Sequence, residues 1–585
     1  MKSSKTIVEE YIDKRDWRVK ENSNSPFSFG GLNKYITAEV SKDYWLHNVY
    51  TPEIAEAYVD GHIHIHDLGG LSLYCCGYSL KDILMKGVRG VPNIPTSAPA
   101  KHFDSVLNQI ANLTTIFQNE IMGAVAFNSF DTLLAPFIRV DNLSYREIKQ
   151  SMQNYVFSIN SNSRAGAEPA FSNVTFDLTP PKDLKDEYAI IGGDFMDFTY
   201  GDCQREMDLL NRAFYEIMLE GDSQGKLFAY PIPTYNIHGK FDWDNPNNEK
   251  LWEMAGKYGT PYFANFINSE LDIGDVRSMC CRLRLSLKEL RRRNGGLFGS
   301  GDSTGSIGVV TINLPRIAYE TKGDRDKFFV ELDKYMDIAR DSLQIKRQWL
   351  QEHILDTGAI PAFKEYVGTF NNHFNTIGIV GENEMCINFM GQDITTKEGK
   401  EFALEVGEHI RNRLVDYQNQ TGVLFNFEAT PAESTCYRLA LKDKSLYPDI
   451  YTQGSGDDCY YTNSCHIPVN MIKDINSTFE HQDELQIQFT GGTVIHCWLM
   501  GAIPGEHAKT IVHEMFNKYR VPYMSLSPIS RYCDDHGYVS ENVDYCPKCG
   551  KRLRKYQRIT GYLRCIDNFN RGKAAEFKDR VQLNG

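Results

Sequence analysis

The chain has 585 residues and a formal net charge of −13, with 42% hydrophobic and 24% charged residues. These ordinary globular proportions allow a large core, and the acidic balance argues against wholesale wrapping of a polyanion such as nucleic acid. No run of about 18 apolar residues is present to cross a membrane, and the opening MKSSKTIVEEYIDKRDWRVK lacks an apolar signal segment, so a cytoplasmic location is expected. Without a secretion signal, the fourteen cysteines read as thiols, metal ligands or catalysts rather than as a disulfide framework.

Early in the chain, Gly61-His-Ile-His-Ile-His66-Asp67 alternates with period two, which puts three histidines on one strand face. Such a face suits a metal, but the pattern supplies no matching carboxylate, so an ordinary polar strand face is expected. Cys75-Cys76 follows, and Cys280-Cys281 forms a second adjacent pair. Taken one at a time, such cysteines most simply fill cores. Val106, Leu107, Ile110, Leu113, Ile116, Phe117 and Ile121 recur at helical spacing behind a cap at Asp104 or Ser105. The polar face of that helix has few charges, which points to a helix or subunit contact.

The glycine-rich run from Asn294 to Gly308 ends in no Gly-Lys-Ser/Thr, and no G-x-G-x-x-G fingerprint follows a strand there. A mobile connection that carries the second cysteine pair is expected. Strand patterns follow at 308–313, 424–427 and 493–497, and a helix begins near Asp326 with the stripe Phe328, Phe329, Leu332, Tyr335, Met336, Ala339 and Leu343. The alternation is that of an α/β protein. After the second of those strands, Thr430 as N-cap, Pro431 at the first helical position and Glu433 three after the cap spell a capping box. The free amides of such a start suit a phosphate, although most capped starts bind nothing.

Near the C-terminus, Cys533-x-x-His536 and Cys546-Pro-Lys-Cys549 stand as two knuckles with nine residues between them, the spacing of a structural Zn²⁺ ribbon. So small a segment cannot build a core. A metal worth roughly 10–16 kcal/mol of apparent binding free energy supplies the missing stability. The basic cluster Lys551, Arg552, Arg554, Lys555 and Arg558 reads as the solvated face of that ribbon.

Arg558-Ile-Thr-Gly561-Tyr562-Leu563 resembles the glycyl-radical motif, in which a glycine Cα gives up a hydrogen atom and the radical spreads over the flanking amides. Only glycine has so uncrowded a Cα. Ser278-Met279-Cys280-Cys281-Arg-Leu-Arg-Leu, Gly308 to Arg316, Thr430-Pro-Ala-Glu433-Ser-Thr435, Tyr461-Thr-Asn-Ser-Cys465-His-Ile-Pro-Val469 and Asn570-Arg-Gly-Lys573 follow in the order found in anaerobic (class III) ribonucleoside-triphosphate reductases. The resemblance runs from about Tyr50 onward.

The resemblance implies a ten-stranded α/β barrel of two five-stranded half-barrels spanning residues 1–525, with the zinc ribbon and glycyl-radical loop in 526–585. It implies a radical on Gly561, installed by an iron–sulfur, S-adenosylmethionine-dependent activating protein. Cys281 would become the thiyl, with Cys280 as the alternative and Met279 facing the same way, and Cys75 would be the second active-site thiol. Asn313 would hold a ribose hydroxyl, and Thr430, Ala432, Glu433, Ser434 and Thr435 the triphosphate. Cys533, His536, Cys546 and Cys549 would hold the zinc, with Cys565 competing with His536. The substrates would be ribonucleoside triphosphates reduced for DNA synthesis, with formate or a thiol as electron donor.

Where the family often has a fourth ribbon cysteine this chain has His536, and where a small hydroxylic residue is usual it has Cys465. No nucleotide-binding regulatory module precedes the expected barrel, so overall activity control by ATP and dATP is not expected. An allosteric deoxynucleotide or ATP at a homodimer contact beside the 105–122 helix is the expected selector of substrate. The competing readings are a glycyl-radical enzyme of the pyruvate formate-lyase type and a zinc-ribbon nucleic-acid binder, the second of which leaves over 500 residues without a purpose.

Overall fold

The computed structural model describes residues 2–14, 27–161, 168–268 and 303–583, together with the backbone course of 276–278 and 284–286. Ten strands carry the fold: β1 Cys75–Gly77, β2 Val125–Phe127, β3 Ser172–Phe176, β4 Ile232–His238, β5 Tyr262–Phe266, β6 Gly305–Asn313, β7 His373–Val380, β8 Phe425–Glu428, β9 Ile495–Leu499 and β10 Tyr523–Pro528. β1 to β5 lie side by side in order and all parallel. β6, β7 and β8 form a second parallel run, and β9 pairs parallel with β10.

The two groups meet antiparallel at two seams. At one, Cys75 faces Ser306 and Cys76 faces Gly305; at the other, Ala264 faces Tyr523. The remaining gap, between β8 and β9, is spanned by a parallel bridge from Glu428 to Gly492, where the Ala429 amide donates to the Gly492 carbonyl at 2.8 Å. The ring of ten strands is thereby complete, five parallel strands to each half.

Side-chain alternation explains why the ring closes around a polar interior. Val125, Phe127, Val174, Phe176, Ile377, Ile379, Phe425 and Phe427 point outward into the two large apolar cores beneath the surrounding helices. With a period of two, Asn173, Thr175, Thr376, Asn426 and Glu428 then point inward, and all are buried.

The outer layer includes α1 Phe103–Gln118, α2 Leu314–Thr321, α3 Arg325–Leu350 and α4 Glu433–Leu446. The expected cap of α1 is replaced from a distance: the Asp141 carboxylate accepts the Phe103 amide and meets His102 Nδ1, each at 2.8 Å. α3 starts at Arg325 behind the Asp324 cap, whose side chain accepts the Lys327 amide.

Strand Ile63–Ile65 pairs antiparallel with β6. Among its histidines, His62 stacks on Tyr335, His64 meets Arg438 and packs edge-on against His66 at 4.7 Å, and His66 reaches Thr311. Burial first, and then nearby Lys346 and Arg438, hold His66 down to about 3.

The C-terminal part is a four-stranded antiparallel sheet, in the order β12 Gly537–Val539, β11 Ser530–Cys533, β13 Arg554–Arg558 and β14 Leu563–Cys565, followed by α5 Arg571–Asp579. The chain end then returns to the barrel, with the Leu583 amide donating to the Trp498 carbonyl of β9 at 2.9 Å. Among the described residues, no helix is long and apolar enough to cross a membrane.

Candidate active site

The β13–β14 hairpin turns at 559–562, with Arg558 opposite Leu563 and the Ile559 amide bonded to the Tyr562 carbonyl at 3.0 Å. Gly561 is thus at the tip of a two-stranded ribbon. Its carbonyl accepts from the hydroxyl of Tyr262, the first residue of β5, and from Arg558 Nη1 at 3.4 Å. The Arg558 guanidinium is buried 4.0 Å over the Tyr262 ring and donates to the carbonyls of Gly259 at 2.6 Å and Thr260 at 2.8 Å. Gly259 must be glycine: its φ is +65°, and a Cβ would lie 2.2 Å from the Leu526 carbonyl oxygen. On the other side of the hairpin, Arg580 donates to the carbonyls of Arg558 and Ile559, both at 2.8 Å, and is paired with Glu576.

The residue after the glycine reaches the start of α4. Tyr562 donates to the Glu433 carboxylate at 3.3 Å, and Arg564 lies 3.4 Å from the same oxygen. Burial raises the Glu433 carboxyl above its ordinary range, opposed by Arg564 and Lys573. The capping box expected here does not form. α4 begins at Glu433 with Ala432 at the N-cap and no side-chain cap, and the Ala432 amide donates to Asn463 Oδ1 at 3.0 Å. The reason is a distant contact: Thr430 packs against Gly378 of β7 so tightly that a Cβ there would lie 2.4 Å from Thr430 Oγ1, so the hydroxyl does not turn back to the helix. Thr430 and Thr435 are buried and Ser434 is half-buried beside them. The first-turn amides of α4 have no acceptor within the helix.

Cys75 is buried at the β1–β6 seam. Its neighbour Cys76 belongs to the outer core, so alternation turns Cys75 toward the lumen. Asn313, at the end of β6, donates to the Gly61 carbonyl and the Asp443 carboxylate, both at 2.8 Å, and accepts the Arg316 amide at 3.3 Å. Both of its amide protons are therefore engaged within the protein. Met279, Cys280, Cys281 and the run from Asn294 to Asp302 lie outside the described residues.

In the ribbon, Cys533 Sγ lies 3.6 Å from both His536 Nδ1 and Cys549 Sγ, and Cys546 Sγ lies 3.6 Å from His536 Nδ1. All four ligand atoms fall within 4.8 Å of one another. With Zn–S of about 2.3 Å and Zn–N of about 2.0–2.1 Å, the edges of a tetrahedral site come to about 3.5–3.8 Å, so the donor set fits Zn²⁺. Desolvation pushes the Cys546 thiol up, but the amides of Cys549 and Lys548 hold it down to about 6, favouring the thiolate a metal needs. Cys565 stands apart, its thiol directed to Asp567.

The profile of the family described as anaerobic ribonucleoside-triphosphate reductase matches residues 21–583. The chain belongs to that family. Reductases of this name from Haemophilus influenzae and Escherichia coli are each 24% identical to it, over 96% of this chain and 83% of theirs. The phage T4 protein of the same name is 23% identical, over 96% of this chain and 97% of its own. A solved anaerobic ribonucleotide reductase overlays with a TM-score of 0.78 at 23% identity, covering 95% of this chain and 90% of that one. The Thermotoga maritima reductase, solved with dATP bound in the specificity site, gives 0.76 at 22% identity, covering 96% and 94%. A Roseburia inulinivorans protein of 1,2-propanediol dehydration shares the fold more loosely, with a TM-score of 0.53 at 10% identity, covering 99% and 90%.

This reductase is an oxidoreductase, and its glycine hairpin adjoins open space. A cavity of about 60 Å³ is lined by Thr560, Asn463, His466, Gln482, His496 and Trp498, among others. Thr560 immediately precedes Gly561, and His496 and Trp498 lie on the inward face of β9. Cys465, left open by its position in the sequence, is fully buried, with its thiol directed at Gln482 Oε1. Burial pushes that thiol well up. In the basic cluster, Lys551 pairs with Asp535, Arg554 with Asp534 and Lys555 with Asp544. Sequence reasoning missed Tyr262 and Arg580. The Tyr262 contact joins positions 299 residues apart, and no local pattern announces it.

Proposed function

We propose that this reductase converts ribonucleoside triphosphates to 2′-deoxyribonucleoside triphosphates for DNA synthesis, using a radical stored at Gly561. The observation that carries this reading is the Gly561 hairpin, seated against β5 of a ten-stranded polar-lined barrel and continuous with a four-ligand ribbon. An iron–sulfur, S-adenosylmethionine-dependent partner removes a hydrogen atom from the Gly561 Cα. The Gly561 radical takes the thiol hydrogen of Cys281, and the resulting thiyl takes the 3′ hydrogen of the ribose. The 2′ hydroxyl leaves as water once protonated. Two electrons and two protons complete the reduction, with Cys75 supplying a hydrogen atom from its lumen-facing position and formate or a thiol replenishing the electrons.

Thr430, Ala432, Glu433, Ser434 and Thr435 hold the triphosphate at the start of α4, where free amides and the helix dipole favour anions. Met279 is assigned a part in the thiyl chemistry, and Asn313 orients the ribose through the buried network it forms with Asp443. Cys533, His536, Cys546 and Cys549 hold Zn²⁺, whose part is to order the ribbon leading into β13. The working unit is a cytoplasmic homodimer in which a deoxynucleotide or ATP beside α1 selects the substrate. Unchanged substrate preference on titrating dATP, dGTP and dTTP would remove that last element.

The test is anaerobic activation followed by an assay of deoxycytidine triphosphate from CTP. Wild type forms product. Cys281→Ala keeps the radical and forms none, whereas retained turnover in that variant moves the thiyl elsewhere.

A further inference from the structure

A radical centred on a glycine Cα is stabilised jointly by the amide nitrogen before it and the carbonyl after it, so whatever binds that carbonyl sets where the spin resides. In this chain the carbonyl of Gly561 accepts from the Tyr262 hydroxyl and from Arg558. We infer that Tyr262 is a positioning residue for Gly561, holding the Cα in register for hydrogen-atom transfer and drawing spin density toward the carbonyl oxygen. The inference rests on the proposed radical role of Gly561.

Three features of the geometry support it. Tyr262 is rigid: it is 2% exposed, and β5 is paired on both sides, to β4 and β10. Its ring is covered by the Arg558 guanidinium at 4.0 Å, and that same guanidinium is fixed by the Gly259 and Thr260 carbonyls on the turn leading into β5. Finally, Arg580 fixes the carbonyls of Arg558 and Ile559, so the hairpin is clamped before the glycine as well as at it. The glycine carbonyl therefore meets one donor on a barrel strand, Tyr262, and one on its own hairpin, Arg558. A misplacement of about 1 Å is enough to cost about 10²-fold in such a transfer.

The experiment compares the activated wild-type chain with Tyr262→Phe and with 3-fluorotyrosine at position 262, which keeps the ring and hydroxyl but makes a stronger donor. For Tyr262→Phe the inference expects a glycine doublet that still forms but is wider, with kcat lowered about tenfold, KM for CTP unchanged and melting temperature within a few degrees of wild type. The fluorinated chain is expected to give a doublet narrower than wild type with turnover retained. Were Tyr262→Phe to fold poorly, the fluorinated chain decides alone. A doublet identical to wild type in both chains overturns the inference, as does a raised KM with unchanged kcat, which assigns Tyr262 to substrate binding. Absence of any doublet in the wild-type chain overturns the radical role of Gly561 itself, a separate result.

Discussion

At the outer end of the C-terminal sheet, four ligand atoms converge and only Val539 and Leu553 add aliphatic contact to the small core formed with Cys533 and Cys546. At the inner end, Gln557, Arg558, Arg580, Lys573 and Glu576 are all nearly or fully buried, and the guanidinium groups are matched by backbone carbonyls and a carboxylate. On the proposed function, one sheet is thus held by metal affinity at the surface and by enclosed charge at the barrel. The outer end would then be removed by taking away an ion. The inner end resists such treatment but is intolerant of losing one partner, because a buried charge left unpaired keeps its full desolvation cost.

The sharpest way to break this contrast is chelation or Cys546→Ser. Because apparent Zn²⁺ binding supplies about 10–16 kcal/mol in comparable small sites, the ribbon is expected to unfold, with zinc content near zero, rapid proteolysis between residues 533 and 550, and loss of the activated radical. An intact, protease-resistant ribbon without metal would contradict it. Next in size, Arg580→Ala should lower unfolding stability by about 1–3 kcal/mol in urea titration by leaving Glu576 with Lys573 alone and freeing the buried Arg558 and Ile559 carbonyls.

A third prediction compares two buried carboxyls. Glu576 is pushed up by burial but held below its ordinary value by Lys573 and Arg580, whereas Glu382 has no such cations and burial raises it to about 8. Glu382 is therefore neutral in the folded protein at pH values where the unfolded chain is ionised, so folding binds a proton. Its effect on stability is lost as pH rises from about 4.5 toward 8, at up to about 1.4 kcal/mol per pH unit. Glu382→Gln should flatten that slope, read as melting temperature against pH; an unchanged slope would put the titration on another group. Smallest of all, Lys551→Ala removes an exposed pair with Asp535 and should leave the midpoint of the same urea titration almost unchanged.

How much was legible in the sequence follows the range of the interactions. The ribbon residues are set by short spacings, and His536, not Cys565, lies beside the three cysteines of the knuckles. Some strands showed their pattern: the run expected at 308–313 is the core of β6, and those at 424–427 and 493–497 overlap β8 and β9. β1 and β2 have three residues each, too few to display a period. The capping box at Thr430 failed because Gly378 on a neighbouring strand holds the threonine, and the α1 cap came from Asp141 on another helix. Both failures are contacts between segments remote in sequence, as is the Tyr262 clasp. The barrel itself was legible through resemblance, since spacing alone gave only an α/β protein.

The central claim is that Gly561 stores the radical, and paramagnetic resonance of the anaerobically activated chain tests it most directly. A single α hydrogen on Gly561 predicts a doublet in wild type, collapse toward a singlet when glycine is deuterated at the α carbon, and no signal in Gly561→Ala. A doublet that persists in Gly561→Ala, or that ignores the deuterium, would contradict the account.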